Sequence, residues 1–244
     1  MTLSIKVPHG TVRPVPDVKN RIRALLWDMD GLFIDTEELH FQSWQWLVAN
    51  EGAEPLSLKE YMRCVGKPGK ENIETICTMK GIMGERCPLQ LLRRKKYEEL
   101  RKDGTPLIQE HIDLAKAFAQ AYPDMRQVLV SSSSRDDVDT NIKLVGLDNF
   151  FELSVSYNDN GGLIRKPSPD MYHHTLKRLE LPKEACLAFE DSNSGVVSAV
   201  EAGIPVVALP NRLTVGNNFS KADAVFFPGD KKTPALIMKK LGLV

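Results

Sequence analysis

Residues 25–37, which read LLWDMDGLFIDTE, decide the fold of this chain. The apolar run at positions 24–27 is typical of a short strand that is buried on both faces. Gly31 allows a sharp turn directly after Asp30, so Asp28 and Asp30 follow the carboxyl end of that strand. Open α/β sheets bind their ligands beyond such strand ends, although acidic turns with a glycine are also common elsewhere.

The composition describes an ordinary globular protein and excludes several partners. The chain has 244 residues, with 32 Lys plus Arg against 32 Asp plus Glu, so no net field attracts nucleic acid or an anionic membrane. No stretch approaches the roughly 18 apolar residues of a membrane-spanning helix, and no apolar signal segment opens the chain. We therefore expect a cytoplasmic protein with no nucleic-acid partner and no membrane partner.

The sequence before and after the first strand differs in character. Residues 1–21 carry several prolines with little apolar periodicity, and they are interpreted as an N-terminal leader. After the strand, Asp35 and Glu38 have the spacing of a capping box, which predicts a helix from about Thr36 to Asn50. From residue 51 to about 102 only helix-like segments occur, which indicates a small all-helical insertion.

Strands and helices alternate in the second half of the chain. Apolar runs at 127–130, 186–189, 205–209 and 224–227 are separated by segments with helical spacing. This alternation predicts an α/β fold with a Rossmann-like, doubly wound parallel sheet and helices on both faces.

Three of the predicted strands end in polar side chains. The first is followed by Asp28 and Asp30, the second by the serines 131–134, and a later one by Glu190 and Asp191. Carboxylates are ligands that Mg²⁺ accepts, and hydroxyls with free N–H groups can cradle a phosphate. Lys166 could neutralise charge on a transferring phosphoryl group. Each piece alone is common as a polar loop or surface group, but together they predict a metal and phosphate site.

The same motifs carry a family resemblance. Asp28-Met29-Asp30-Gly31, Ser131, Lys166-Pro167 and Glu190-Asp191-Ser192 resemble the haloacid dehalogenase superfamily in order and spacing. The fragments FIDTEELHFQSW, RKPSPDMY and FEDSNSGVVSAVEAGIP are similar to its β-phosphoglucomutase and sugar-phosphatase branch. That branch has a helical cap between its first two motifs. The resemblance implies a core at 22–37 and 106–244 and a helical cap at 38–105.

The resemblance also implies roles for individual residues. Asp28 would be the nucleophile that forms an aspartyl-phosphate, and Asp30 the general acid and base, which requires a raised pKa. The cofactor Mg²⁺ would be held by Asp28, the backbone carbonyl of Asp30 and Asp191, with Glu190 nearby. The phosphoryl group would be bound by Ser131, Ser132 and Lys166.

The cap residues are less strongly indicated. His40 falls in a His-Phe-x-x-Trp fragment of this branch, which implies a supporting role near Asp30. Gly66, Lys67 and Lys70 occupy the place of the substrate-contacting loop, where ordinary solvated lysines are the alternative.

The resemblance implies a Mg²⁺-dependent phosphatase for a small phosphorylated metabolite, foremost a sugar phosphate. Separately, we expect the protein to be a monomer. A phosphohexomutase that uses the same aspartyl-phosphate is the main alternative. A non-catalytic binding protein that keeps the fold is a further one.

Overall fold

The structure is a computed structural model that describes residues 22–65 and 69–243. The predicted leader, together with Gly66 and Lys67, lies outside the described residues.

The core is one sheet of six parallel strands in the order β3-β2-β1-β4-β5-β6. Their bounds are Ala24–Trp27 (β1), Arg126–Val130 (β2), Leu153–Val155 (β3), Cys186–Glu190 (β4), Val206–Ala208 (β5) and Ala224–Val225 (β6). The first strand lies in the middle of the sheet, with β2 on one side and β4 on the other. The predicted α/β class with a doubly wound parallel sheet is confirmed.

Strand β1 separates two apolar clusters because successive side chains of a strand point to opposite faces. Leu25 and Trp27 belong to one cluster, and Leu26 belongs to the other. The Trp27 ring stacks on Phe189 of the neighbouring strand, with centroids 4.1 Å apart. Burial on both faces explains why the strand is an uninterrupted apolar run.

Five helices of the described chain cover the two faces of the sheet. They are α5 (Gln109–Ala121), α6 (Arg135–Leu144), α7 (Asp170–Leu179), α8 (Asn193–Glu201) and α9 (Pro234–Lys240). In the part of the chain that is described, no helix is both long and apolar enough to cross a membrane.

The helical cap is inserted after β1 and has its own apolar cluster, which includes Trp44, Tyr61 and Ile76. Its helices are α1 (Thr36–Asn50), α2 (Leu58–Tyr61), α3 (Gly69–Lys80) and α4 (Arg86–Asp103). Asp35 accepts a hydrogen bond from the Glu38 N–H at 3.1 Å, which confirms it as the cap of α1.

The two chain crossings between core and cap are hydrogen-bonded to each other. The Asp35 N–H donates to the Pro106 carbonyl and the Ile108 N–H donates to the Phe33 carbonyl, both at 2.8 Å. This pairing fixes where the cap begins above the carboxyl end of β1. The division at residues 38 and 105 stays a prediction.

Candidate active site

The register of the sheet brings three motifs to one edge. Trp27, the last residue of β1, is paired with Leu129 of β2 and with Phe189 of β4. Asp28, Ser131 and Glu190 therefore emerge together at the carboxyl edge, where ligands bind in open α/β sheets.

Lys166 lies at the centre of this edge. Its Nζ is 2.6 Å from Asp28 Oδ1, 2.7 Å from Glu190 Oε1 and 2.7 Å from the Val130 carbonyl oxygen. Burial by itself would lower the pKa of this ammonium, but the Asp28 and Glu190 carboxylates raise it above its ordinary value. Lys166 is therefore a permanent buried cation between two acids.

Asp28, Glu190 and Asp191 form a buried acidic cluster whose oxygens lie within 4.8 Å of one another. Burial, with a contribution from the Glu190 charge, raises the pKa of Asp28 to about 7 despite the opposing effect of Lys166. Burial and the charges of Asp28 and Glu190 raise the pKa of Asp191 well above its usual range. Asp28 and Asp191 thus hold their protons more tightly than free carboxyls do, and the cluster could hold a metal ion.

The cluster fits Mg²⁺, which prefers carboxylate oxygens. Glu190 Oε2 is buried and has no hydrogen-bond partner among the described residues. Two glycines make room for these carboxylates. A Cβ on Gly31, which has φ +86°, would lie 2.2 Å from Asp191 Oδ2, and a Cβ on Gly195 would lie 1.8 Å from Glu190 Oε2.

Asp30 is placed beside two serines of the loop after β2. Its Oδ2 accepts hydrogen bonds from Ser131 Oγ at 3.0 Å and from Ser133 Oγ at 2.7 Å. Burial and the Asp28 charge raise the pKa of Asp30, while the two hydroxyls oppose that rise. A raised pKa is what an acid and base at this position requires.

The predicted phosphate-binding serines are thus close to the acids. The Ser131 hydroxyl donates to Asp30 and accepts from the Ser133 N–H at 3.0 Å. Ser132 Oγ accepts from the Lys166 N–H at 3.3 Å, which ties this loop to the loop that carries the lysine. Their roles as phosphate ligands stay predictions.

His40, on α1, faces the site from the cap. Its Nδ1 is 2.9 Å from the Arg93 guanidinium, and its ring stacks on Tyr97 with centroids 4.2 Å apart. Burial, assisted by the Arg93 charge, lowers the pKa of His40 to about 3, so the imidazole is neutral. Lys70 is exposed in the first turn of α3 and lines neither of the two cavities described next.

Two adjoining cavities lie between core and cap. The smaller one, about 240 Å³, is lined by residues that include Asp30, Glu37 and Asp191. The larger one, about 360 Å³, is lined in part by arginines. Asp30, His40, Tyr97 and Ser133 line both cavities, so the two form one continuous cleft.

Sequence reasoning missed several residues of the site. Asn211 donates to the Gly31 carbonyl at 2.9 Å and to Asp191 Oδ2 at 3.2 Å. The Tyr172 hydroxyl donates to Glu190 Oε1. Ser133 belongs to the serine run 131–134, which the sequence marks as a candidate phosphate-binding loop. Asn211 lies in a loop without a recognisable motif, so the sequence gives no sign of its contact with Asp191.

Comparison with known proteins gives matches over most of the chain. Residues 25–209 match the family described as haloacid dehalogenase-like hydrolase. The protein CbbY of Rhodobacter capsulatus is 33% identical over 216 residues, covering 83% of this chain and 91% of that protein. A phosphorylated carbohydrates phosphatase of Thermotoga maritima is 26% identical over 208 residues, which cover 84% of this chain and 93% of that protein. A HAD family hydrolase of Deinococcus radiodurans superposes with a TM-score of 0.74 at 21% identity, covering 92% of this chain and 98% of that one.

Proposed function

Because this chain belongs to the haloacid dehalogenase-like hydrolase family, we propose that it is a Mg²⁺-dependent phosphatase of small phosphate monoesters, foremost sugar phosphates. One observation carries the proposal. Lys166 is buried between Asp28 and Glu190, and Asp191 completes an acidic cluster beside them. The relative named as a phosphatase of phosphorylated carbohydrates supports the substrate class.

Asp28 is the proposed nucleophile. A carboxylate oxygen of Asp28 attacks phosphorus, the bond from phosphorus to the ester oxygen breaks, and an aspartyl-phosphate forms. Asp30 gives its proton to the leaving ester oxygen, so the alcohol departs neutral. A water molecule then attacks the phosphorus, and Asp30 takes a proton from that water. The bond between phosphorus and Asp28 breaks, which releases inorganic phosphate and restores the Asp28 carboxylate.

The surroundings of these two acids support a division of labour. The raised pKa of Asp30 favours the protonated form that the first step consumes. Lys166 lies against Asp28 at 2.6 Å, where its charge can stabilise the oxygens of the transferring group. His40 and Tyr97 reach the cleft from the cap and help to exclude water from it.

The proposed holders of Mg²⁺ are the side chains of Asp28 and Asp191 and the backbone carbonyl of Asp30, with Glu190 nearby. When bound, the ion would offset the negative charge of the acids and of the phosphoryl group. Glu190 also positions Lys166, because its carboxylate contacts the same ammonium as Asp28 does.

The test is phosphate release from a panel of sugar phosphates by purified protein, with Mg²⁺ and with EDTA. We expect phosphate release that depends on Mg²⁺. The Asp28→Asn variant should release phosphate more than about 10³-fold more slowly, because asparagine keeps the shape of the side chain but is not a nucleophile. Conversion of β-glucose 1-phosphate to glucose 6-phosphate is measured in parallel. Isomerisation without phosphate release would replace the phosphatase by the mutase, and substantial turnover by Asp28→Asn would exclude the aspartyl-phosphate.

A further inference from the structure

Asn211 joins two parts of the proposed Mg²⁺ site. It lies in the loop after β5 and is 6% exposed, and its Nδ2 donates to Asp191 Oδ2 at 3.2 Å and to the Gly31 carbonyl at 2.9 Å. We propose that Asn211 is a positioning residue, which holds the Asp191 carboxylate and the turn around Asp30 in the arrangement that binds Mg²⁺. This inference rests on the proposed phosphatase function and adds a residue that sets the metal affinity of its site.

The Asn211 side chain uses all of its hydrogen-bonding groups. Its Oδ1 accepts from the Leu213 N–H at 2.8 Å and from the Thr214 N–H at 3.0 Å. A backbone N–H can only donate and the Gly31 carbonyl can only accept, so the amide oxygen and the amide nitrogen cannot exchange places. The amide group therefore has one orientation, in which both of its N–H groups are directed at the proposed metal site.

The loop that carries Asn211 is itself held in place. The Asn211 N–H donates to Thr214 Oγ1 and the Val215 N–H donates to the Asn211 carbonyl, both at 3.0 Å. The next residue, Arg212, forms an ion pair with Glu38 of cap helix α1. A side chain can orient a metal ligand only if its own position is fixed by its surroundings. Asn211 meets this condition through its own turn and through the contact of its neighbour with the cap.

The turn at residues 29–34, which carries Asp30, leaves one carbonyl for an ion. Within the described chain the Asp30 carbonyl accepts no hydrogen bond, while every other carbonyl of the turn does. The donors are the Leu32, Phe33 and Ile34 N–H groups for Met29, Asn211 for Gly31, His111 for Leu32, the Ile108 N–H for Phe33 and the Gly31 N–H for Ile34. Because a peptide group is planar, the hydrogen bond of the Gly31 N–H also fixes the direction of the Asp30 carbonyl. Asn211 fixes the next peptide group of the turn through the Gly31 carbonyl.

Asp191 is held at one of its two carboxylate oxygens. A Cβ on Gly31 would lie 2.2 Å from Asp191 Oδ2, so this carboxylate packs directly against the turn that Asn211 holds. Oδ2 accepts from Asn211, whereas Oδ1 accepts no hydrogen bond from residues 22–65 and 69–243 and is left for a metal ion. Side chains that orient metal ligands in this way typically contribute about 10–100-fold to metal affinity or activity. One amide group thus orients two of the proposed holders of Mg²⁺.

The first experiment titrates Mg²⁺ into purified wild-type and Asn211→Ser protein by calorimetry. The serine hydroxyl can still accept a hydrogen bond from the N–H groups two and three residues ahead, but it has no amide N–H for Asp191 and Gly31. We expect the Kd for Mg²⁺ to rise at least about tenfold. Asn218→Ser is the matched control and should leave the Kd unchanged, because Asn218 lies in the same connection, is exposed, and its Oδ1 accepts from the Ser220 N–H at 3.0 Å.

Asn211→Asp is a second variant, which keeps the shape of the side chain and its acceptor for the loop but loses both N–H groups. Its added negative charge would by itself attract Mg²⁺, so weaker binding must come from the lost donors. We expect weaker binding here too, and tighter binding would overturn the inference.

Phosphate release as a function of Mg²⁺ concentration separates positioning from a general defect of the fold. In Asn211→Ser the Mg²⁺ concentration for half-maximal activity should rise at least about tenfold, while kcat at saturating Mg²⁺ and KM for the sugar phosphate change less than about threefold. A variant that is merely damaged loses kcat at every Mg²⁺ concentration with no shift in the half-maximal value. That result, or equal half-maximal concentrations in Asn211→Ser and Asn218→Ser, overturns the inference.

The calorimetric titration, which needs no substrate, separates this inference from the phosphatase proposal. Weaker Mg²⁺ binding in the two Asn211 variants supports the inference even if no ester is hydrolysed. Equal Kd values in the wild type and both variants, together with Mg²⁺-dependent phosphate release by all three, would reject the role of Asn211 and leave the phosphatase standing. A wild-type protein that binds no Mg²⁺ would overturn both the inference and the metal dependence of the proposed function.

Discussion

Ser133 Oγ lies 2.7 Å from Asp30 Oδ2, so a serine after β2 solvates the carboxyl that we assign as acid and base. The hydrogen bond favours the ionised form of Asp30, against the effects of burial and of the Asp28 charge. The pKa of Asp30 thus reflects opposing effects of groups that follow two neighbouring strands, Asp28 after β1 and Ser133 after β2.

Replacing Ser133 by Ala should raise the pKa of Asp30 further, because a hydrogen bond that favours the ionised carboxylate is lost. Because the first step consumes the proton of Asp30, the fall of kcat/KM at high pH should move to higher pH. Ser220→Ala, on the exposed surface, is the control. A pH profile that matches the wild-type profile would contradict the assignment of Asp30.

Mg²⁺ should stabilise the protein more at neutral than at acid pH. The pKa of Asp28 is raised from 3.8 to about 7, so the metal-free protein loses stability as pH rises from about 4 to 7. The ion binds ionised carboxylates and removes this loss. At 100 times its Kd it adds about 2.7 kcal/mol, or roughly 5–10 °C in Tm for a chain of this size.

Melting curves at pH 5 and pH 7.5, with and without Mg²⁺, measure this effect. Asp191→Asn should abolish most of the stabilisation by Mg²⁺, since it removes a proposed ligand. An equal gain in Tm at both pH values would argue against binding by the acidic cluster.

Gly195→Ala should destabilise the protein although the residue lies in helix α8. Helix propensity favours alanine by about 1 kcal/mol, but the new Cβ would lie 1.8 Å from Glu190 Oε2. Forcing such a contact costs about 1–3 kcal/mol, and the displaced carboxylate should also lower activity at least about tenfold. Gly216→Ala is the matched control, because its Cβ would meet only Met62 Cε, at 3.7 Å. Urea denaturation and phosphate release give the two values.

Tyr172→Phe should lower the free energy of unfolding by about 1.5–3 kcal/mol, because a buried hydroxyl that donates to the Glu190 carboxylate is lost. Tyr122→Phe, at the end of α5, removes a hydroxyl that forms no hydrogen bond within residues 22–65 and 69–243, and it should change stability little. The measurement is urea denaturation at pH 7 without metal. Equal stability of the two variants would show that the Tyr172 hydroxyl contributes nothing to the site.

The apolar runs and strand ends made much of the fold predictable. Residues 24–27 form a short apolar run that is typical of a buried strand, and most of β2 and β4 is similarly apolar. Parallel strands align their carboxyl ends, so residues as distant in sequence as Asp28 and Glu190 could be expected in one site. The family resemblance, not the strand pattern, indicated that Lys166 belongs there too. The capping role of Asp35 was also predictable, since it depends on residues only three positions apart.

Contacts that depend on tertiary packing could not be predicted in this way. Asn211 reaches Asp191 from a loop after β5, and Arg93 reaches His40 from another cap helix. Neither has a local pattern that distinguishes it from a solvated residue. The close approach of Gly195 to Glu190 likewise depends on how α8 packs beside β4, which no spacing in the sequence reveals.

The three hydrogen bonds of Lys166 limit what the site can do at one time. An ammonium has three N–H donors, and those of Lys166 are directed at Asp28, Glu190 and the Val130 carbonyl. A phosphoryl oxygen can accept a hydrogen bond from this ammonium only if one of the three present acceptors loses its own. If that acceptor is Asp28, binding of the substrate frees the nucleophilic carboxylate in the same exchange of hydrogen bonds. Until a phosphate ester replaces Asp28 as the acceptor of Lys166, the ammonium shields this carboxylate from other electrophiles.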